Sequence, residues 1–308
     1  GAVRNTGIEL GLNLSVIRNK NFTWDVNLAF ARNWSKITEL PNGDDVSSNW
    51  FIGERLNVLR DYTSAGIITT DGITMRTKDG SRHYTLQEVY DTFGPGGQGL
   101  KWYEGQMAVN DWNNDGKIDD EDKQIFGCTD PKWTGSLSST MTYKGFDFSF
   151  MLYTKQGQWS RSYFHEQYMN YGDRGRQKMN FDYYIPAGTP VLDKNTGDVT
   201  YLSEAHIGKY PYPNNTEKTG GGYFSSSSAA VRYHKTSFVK VKNITLGYTF
   251  PKAWMSKIAV KHLRLYVNVI NPFCFTDYEG FDPEWASANL TNGGPASVTY
   301  QIGANIKF

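Results

Sequence analysis

The last twelve residues, SVTYQIGANIKF, alternate with unusual purity. One row reads Val298, Tyr300, Ile302, Ala304, Ile306, Phe308, and the other Ser297, Thr299, Gln301, Gly303, Asn305, Lys307. A period of two places each row on one face of a β-strand. Six earlier stretches follow the same rule. IELGLNLSV sets Ile8, Leu10, Leu12, Leu14 and Val16 against Glu9, Gly11, Asn13 and Ser15. FTWDVNLAFA sets Trp24, Val26, Leu28 and Phe30 against Asp25, Asn27 and Ala29. SLSSTMTY puts Leu137, Met141 and Tyr143 on one side, and FDFSFMLY puts Phe146, Phe148, Phe150 and Leu152 opposite Asp147, Ser149 and Met151. SFVKVKNITLGYTF ends with Leu246, Tyr248 and Phe250 against Thr245, Gly247 and Thr249, and its phase breaks near Lys240 to Asn243, where a bulge is expected. HLRLYVNV sets Leu263, Leu265, Val267 and Val269 against Arg264, Tyr266 and Asn268.

The connections alternate too. Strands one and two are joined near Arg18 to Asn21, three and four by Lys144-Gly145, and five and six by PKAWMSKIAVK. The other links are long: Thr38 to Trp133, Gln156 to Lys235 and Asp277 to Ala296. An up-and-down antiparallel sheet then carries every short turn on one rim and every long loop on the other, the asymmetry of outer-membrane barrels. A soluble sandwich mixes turn lengths at both ends. The apolar rows hold no Lys or Arg, each of which would cost about 2–4 kcal/mol at the bilayer midplane. Trp24, Tyr143, Phe146, Tyr248, Phe250 and Phe308 fall near the short-turn rim, where an interfacial girdle belongs. The fold class is therefore all-β, an antiparallel transmembrane β-barrel. Single-chain bacterial barrels have an even strand number, at least about eight, so seven strands imply the C-terminal part of a larger barrel.

Composition sets limits on function. A net charge of +1 and no basic cluster give nucleic acid nothing to bind. No apolar run reaches the length of a transmembrane helix, which leaves strands as the only membrane-crossing elements. Two cysteines, Cys128 and Cys274, leave one bridge or none open. The chain opens on GAVRNTGIEL without a signal peptide, so either a leader was removed or the start of the protein lies upstream.

Several stretches together resemble the C-terminal barrel portion of SusC/RagA-type TonB-dependent transporters of Bacteroidota. They are VRNTGIELGLNLSVIRNKNFTWDVNLAFARN, DWNNDGKIDDEDKQIFG with DPKWTGSLSSTMTYKGFDFSF, SFVKVKNITLGYTFP, LRLYVNVINPF, YEGFDPE and YQIGANIKF, spread over nearly all of residues 1–308 in family order. The resemblance implies a 22-stranded barrel with an N-terminal plug, and coupling to TonB through a region absent from these residues. It also implies a SusD-like surface lipoprotein as lid, a dimer of transporter–lipoprotein pairs, and oligosaccharide or peptide cargo. It implies that the last strand is read by the barrel-assembly machinery, with Phe308 at the interface and Tyr300, Ile302 and Ile306 facing lipid. The alternatives are a passive porin or surface glycan-binding barrel, and a secreted carbohydrate-active β enzyme with a calcium loop.

One motif carries metal chemistry. DWNNDGKIDDED matches D-x-N-x-D-G-x5-D over residues 111–122, in the first long loop and hence outside the cell. The EF-hand template assigns Ca2+ to Asp111, Asn113, Asp115, the Lys117 carbonyl, Asp119 and Asp122, with Gly116 at the turn. Position twelve is Asp and not Glu, a shorter arm for bidentate binding. The competing account is an Asx-rich loop held by its own side chains. Catalytic patterns are weak. His206, His234 and His262 lack Cys or Asp at ligand spacing, and Asp282 with Glu284 is a local i,i+2 pair, not a glycosidase dyad across a cleft. TGGGYFSSSSAA lacks a phosphate-loop pattern and reads as a flexible loop. The second long loop holds Trp159, Tyr163, Tyr168, Tyr171, Tyr183, Tyr184, Tyr201, Tyr210, Tyr212 and Tyr223, suited equally to stacking on cargo or lid and to packing on itself.

Overall fold

In the computed structural model the described residues are 1–94, 99–168, 182–193, 195–212, 229–287 and 297–308. The seven alternating stretches form one antiparallel sheet in chain order. Its strands are β1 (Ala2–Arg18), β2 (Phe22–Glu39), β3 (Trp133–Tyr143), β4 (Phe146–Gln156), β5 (Phe238–Thr249), β6 (His262–Phe275) and β7 (Thr299–Lys307). Every neighbouring pair is a sequence neighbour, as the alternation of short and long connections requires. Lys144 and Gly145 both take positive φ, 45° and 93°, which matches the twist of the hairpin they close. The expected bulge is present: Met151 and Leu152 of β4 pair with Asn243 and Val241, so Lys242 is the extra residue against β4.

The register puts like with like across the sheet. Leu12, Leu28, Leu137, Leu152 and Val241 form one continuous apolar row. On the opposite face Ser15, Asp25, Thr140, Ser149, Thr245, Asn268 and Gln301 form a polar row through all seven strands. Hydrogen bonds stitch it: the Ser15 hydroxyl donates to Asp25 at 2.6 Å, Thr245 to Asn268 at 2.9 Å, and Asn268 Nδ2 to Gln301 at 3.0 Å. The apolar side chains stay exposed, with Leu10 at 62% and Ile302 at 87%. A water-soluble sandwich would bury this face; a lipid-facing sheet leaves it bare.

β1 and β2 are longer than the alternation alone indicated, 17 and 18 residues, against about 9–11 needed to cross the hydrocarbon. Beyond Phe30 the apolar row runs into Arg32 and Trp34, and the Arg32 guanidinium sits 4.5 Å from the centroid of the Trp34 indole. That pairing suits the headgroup level, where an amphipathic cation stacks on an interfacial ring. Trp24 and Trp34 are ten positions apart on β2. At about 3.3 Å per residue and about 45° tilt they span about 23 Å, close to the height of an outer-membrane apolar band. Aromatics therefore mark both rims. At the short-turn rim the Phe146 and Tyr248 rings lie 4.6 Å apart and Tyr248 and Phe250 5.0 Å. Towards the long-loop ends of the strands, Phe30 meets Trp133 at 5.8 Å and Phe273 meets Phe275 at 6.5 Å.

The polar face uses glycine where side chains must cross it. A Cβ on Gly303 would lie 2.3 Å from the Tyr266 ring, which covers the neighbouring strand at that position. The Arg264–Asp147 ion pair passes over Gly247, whose Cβ would meet both partners. Cys128 is buried and Cys274 exposed, and both are free, so no bridge joins them.

The first two long loops, expected as loops beyond the strands, hold a second compact unit, Leu59–Gly127 with Arg161–His234. One of its clusters buries Ile68, Ile73, Met75, Tyr84, Val89, Trp102, Tyr103 and Ala108. It includes the hairpin Ile73–Thr77 with Gly80–Tyr84 and helix α1 (Leu86–Phe93), whose start is fixed by a reciprocal Thr85–Glu88 capping box. The other cluster joins the two long loops through Ile67, Met107, Tyr183, Tyr184, Tyr210 and Val231. Tyr183, Tyr184 and Tyr210 thus serve loop packing, whereas Tyr201 is 70% exposed. Tyr171, Tyr223 and most of TGGGYFSSSSAA lie outside the described residues, as does the side chain of Tyr168.

Leu28 sits mid-row on the apolar face. Leu28→Arg in the full-length protein is expected to cost about 2–4 kcal/mol of folding stability in lipid. Asn27→Arg, one residue along on the polar face, is expected to leave stability within about 1 kcal/mol of native, both read by urea unfolding in vesicles.

Candidate functional site

The acidic loop 111–122 forms a closed turn around two carboxylates. Asp111 and Asp122 are both fully buried. Asp111 accepts the N–H of Asp115 at 3.2 Å, the N–H of Gly116 at 3.0 Å and the Tyr84 hydroxyl at 3.2 Å. Asp122 accepts from the N–H groups of Trp112 at 2.6 Å, Asn113 at 3.3 Å and Asp119 at 2.9 Å. Between them Asn113 Oδ1 takes the Asp115 N–H, Asp115 takes Lys117 N–H and Asp119 takes Glu121 N–H. Gly116 has φ +79°, so the sharp turn falls where the spacing placed it. Burial pushes the Asp122 carboxyl up and the Asp111 charge adds to that, while the N–H donors pull it down.

The donors are all hard oxygens in the order that Ca2+ takes them, which fits that ion in type and phase. The Lys117 carbonyl lies between Gly116 and Asp119 in that order. Among the described residues no three His, Cys, Asp or Glu side chains converge as a metal cage. The carboxylates face the loop's own N–H groups, the arrangement of an Asx-rich turn. The cations nearby serve Asp120, which pairs with Arg60 at 3.3 Å and with Lys123.

Asp282 and Glu284 have a different role from a catalytic pair. Lys240, 2% exposed on β5, bonds Asp282 at 2.9 Å and also Glu284. Lys242, the bulge residue, bonds Glu284 at 2.8 Å. Two lysines thus bind the FDPEW turn to the sheet, and neither carboxylate is free to transfer a proton across a cleft. Residues i and i+2 of a strand share a face, so Lys240 and Lys242, at the phase break, reach one turn from two positions. That phase break was the only trace of the cluster in the sequence.

The histidines are structural as well. His206 Nε2 meets Asp182 at 2.6 Å. His262 faces Lys307 in the β6–β7 register. His234 stacks on His165 with centroids 3.6 Å apart. His165 is fully buried, with Nδ1 at 2.6 Å from the Ser162 hydroxyl and Nε2 at 3.4 Å from Tyr210. Burial above all, then the charges of His234 and Lys209, bring its pKa down to about 3.

The terminal strand presents Tyr300, Ile302, Ile306 and Phe308 on the exposed apolar face, at 75%, 87%, 52% and 77% exposure. Lys261 Nζ lies 3.1 Å from the Phe308 carbonyl oxygen, tying the last residue to the β5–β6 turn.

No family model matches the chain. Over its whole length it is 29% identical to TonB-dependent receptor SusC of Bacteroides thetaiotaomicron, and it covers 27% of that protein. It is 27% identical to TonB-dependent receptor P39 of Formosa agariphila, covering all of this chain and 30% of that one. A structure of the RagAB peptide transporter aligns over 99% of the chain and 29% of its own with a TM-score of 0.61 at 19% identity. The chain thus spans under a third of the length of the relatives it matches, and the similarity to SusC/RagA-type TonB-dependent transporters runs from end to end. The seven-stranded sheet thus matches part of the fold of the RagAB peptide transporter, and the curated relatives are named as TonB-dependent receptors.

An unfolded histidine titrates near 6.5, far above the folded His165, so the unfolded state binds the extra proton as pH falls. Stability carried by neutral His165 is complete above about pH 6.5 and is lost progressively below it. Acidification from pH 7 to 5 is expected to cost the loop unit about 2 kcal/mol, and His165→Gln to flatten that dependence. Limited proteolysis of the full-length protein across this range measures both.

Proposed function

We propose that this chain is the C-terminal part of a SusC/RagA-type importer that takes up an oligosaccharide or peptide with a SusD-like surface lipoprotein, driven by TonB through a segment outside these residues. The observation that carries the proposal is the two-faced sheet: an exposed apolar face for lipid and a hydrogen-bonded polar face for a wet interior. Its support from relatives is the shared description of TonB-dependent receptors, and a fold found in a peptide transporter. In this proposal the barrel-assembly machinery engages β7 through Tyr300, Ile302, Ile306 and Phe308, and lipoprotein and transporter assemble as a dimer of pairs. Deleting the energising partner is expected to abolish growth on the cargo while surface binding persists. Unchanged growth in that deletion would leave a passive channel as the better account.

The same proposal includes a Ca2+ site at Asp111, Asn113, Asp115, the Lys117 carbonyl, Asp119 and Asp122. What supports it is the burial of two carboxylates that meet only N–H and hydroxyl partners, a costly arrangement that a divalent cation would neutralise. Its role is to stiffen the loop unit, not to act in chemistry. Isothermal titration of the full-length protein in metal-free buffer is expected to give a Kd of about 10⁻⁴–10⁻³ M, the range of extracellular modules, lost in Asp111→Asn. Absence of calcium uptake at millimolar concentration would leave the self-bonded turn as the complete description.

A further inference from the structure

The polar face of the sheet is not flat. At the long-loop ends of β1, β2 and β3 it holds a cavity of about 360 Å³, walled by Asn5, Asn33, Ser35, Arg55, Trp133 and Thr134. Through Ala31 and Thr134 it continues into a depression of about 320 Å³ bounded by Glu9, Ser136 and Tyr153. The floor is small residues, Gly11, Ala29 and Ala31, and nothing lies within 4 Å of where a Cβ on Gly11 would be. A ligand there rests on backbone.

The polar groups of this wall are incompletely paired. Among the described residues the Arg55 guanidinium reaches main-chain carbonyls alone, that of Asp130 at 3.4 Å and that of Pro131 at 3.3 Å. Its Nε is buried with no partner among the described residues, and so is Ser35 Oγ. The Asp130 side chain, the one acidic group in the wall, is taken by Asn57 Nδ2 at 3.1 Å and 3.2 Å. A half-buried guanidinium with long bonds to neutral acceptors is under-compensated, and its planar fork matches a carboxylate better than any other common group. Asn5 and Asn33 add amide donors beside it. Glu9, in the adjoining depression, repels a carboxylate there and favours the Arg55 end.

We propose that this wall is a cargo subsite for a carboxylate, held by Arg55 and Ser35, and that the carrier's cargo is acidic. The inference rests on the import proposal and deepens it. The carboxylate has two natural sources, the C-terminus of a peptide and a uronic acid of a glycan. The test uses full-length transporter in detergent and isothermal titration with two matched pairs: penta-alanine against its C-terminal amide, and trigalacturonate against its methyl ester. One acid is expected to bind about tenfold or more tightly than its neutral counterpart, the usual scale of a charge-assisted pair. The pair that discriminates identifies the source. Arg55→Gln is expected to erase the preference while leaving the neutral probe within about twofold, and Ser35→Ala to reduce it with the barrel's gel mobility intact. Acids that bind no better than their neutral partners, acids that fail to bind at millimolar concentration, or a preference that survives both substitutions would each overturn the subsite. Energised uptake of a neutral cargo is scored separately, so that loss of the subsite and loss of the import proposal remain distinct results.

Discussion

Hydrocarbon offers the peptide group no hydrogen-bond partner, and the sheet answers to that single fact. Every backbone N–H and C=O inside the membrane must be satisfied by a neighbouring strand. The pairing here is antiparallel between sequence neighbours throughout, so each strand meets partners already close along the chain. Once the backbone is paired, the period of two does the rest. It sends leucine, valine, isoleucine and phenylalanine to one solvent and serine, threonine and asparagine to another. The aromatic rims, the glycine crossings and the long-loop unit are all arranged around that division.

Much of this was legible in the sequence because strand alternation is a local signal. All seven strands, their order, the short turns and the irregularity at Lys242 follow from neighbours a few positions apart. The extension of β1 and β2 did not, since past Phe30 the outward row turns to Arg32, Trp34 and Lys36 and stops looking apolar. Nor did the loop unit. Its clusters join residues distant in sequence, such as Met107 with Tyr184 and Ile67 with Tyr210, and no periodicity records a contact of that kind. The tyrosines that packed it looked the same as tyrosines offered to a sugar.

The candidate sites divide along the same line. The acidic loop was found by spacing, and its turn and self-bonding lie where the spacing put them. The Lys240 cluster and the Arg55 wall were not, because each depends on which residues from separate strands and loops meet. Both concern charge withdrawn from full solvation, Lys240 completely and Arg55 in part. In the first, lysines and carboxylates compensate one another and fasten a turn; in the second, a guanidinium has neutral acceptors alone among the described residues. The contrast separates a structural ion cluster from a binding surface.

The tyrosine over Gly303 has a consequence for how the sheet is threaded. Tyr266 needs a bare backbone beneath it, and on β7 the only residue without a side chain is Gly303. Were β7 to slide by one position against β6, a Cβ would sit in the ring's place and Ile302 and Ile306 would turn toward the water-filled side. The hydroxyphenyl ring therefore acts as a key with a single matching notch on β7, and shape as well as polarity fixes how the two strands align.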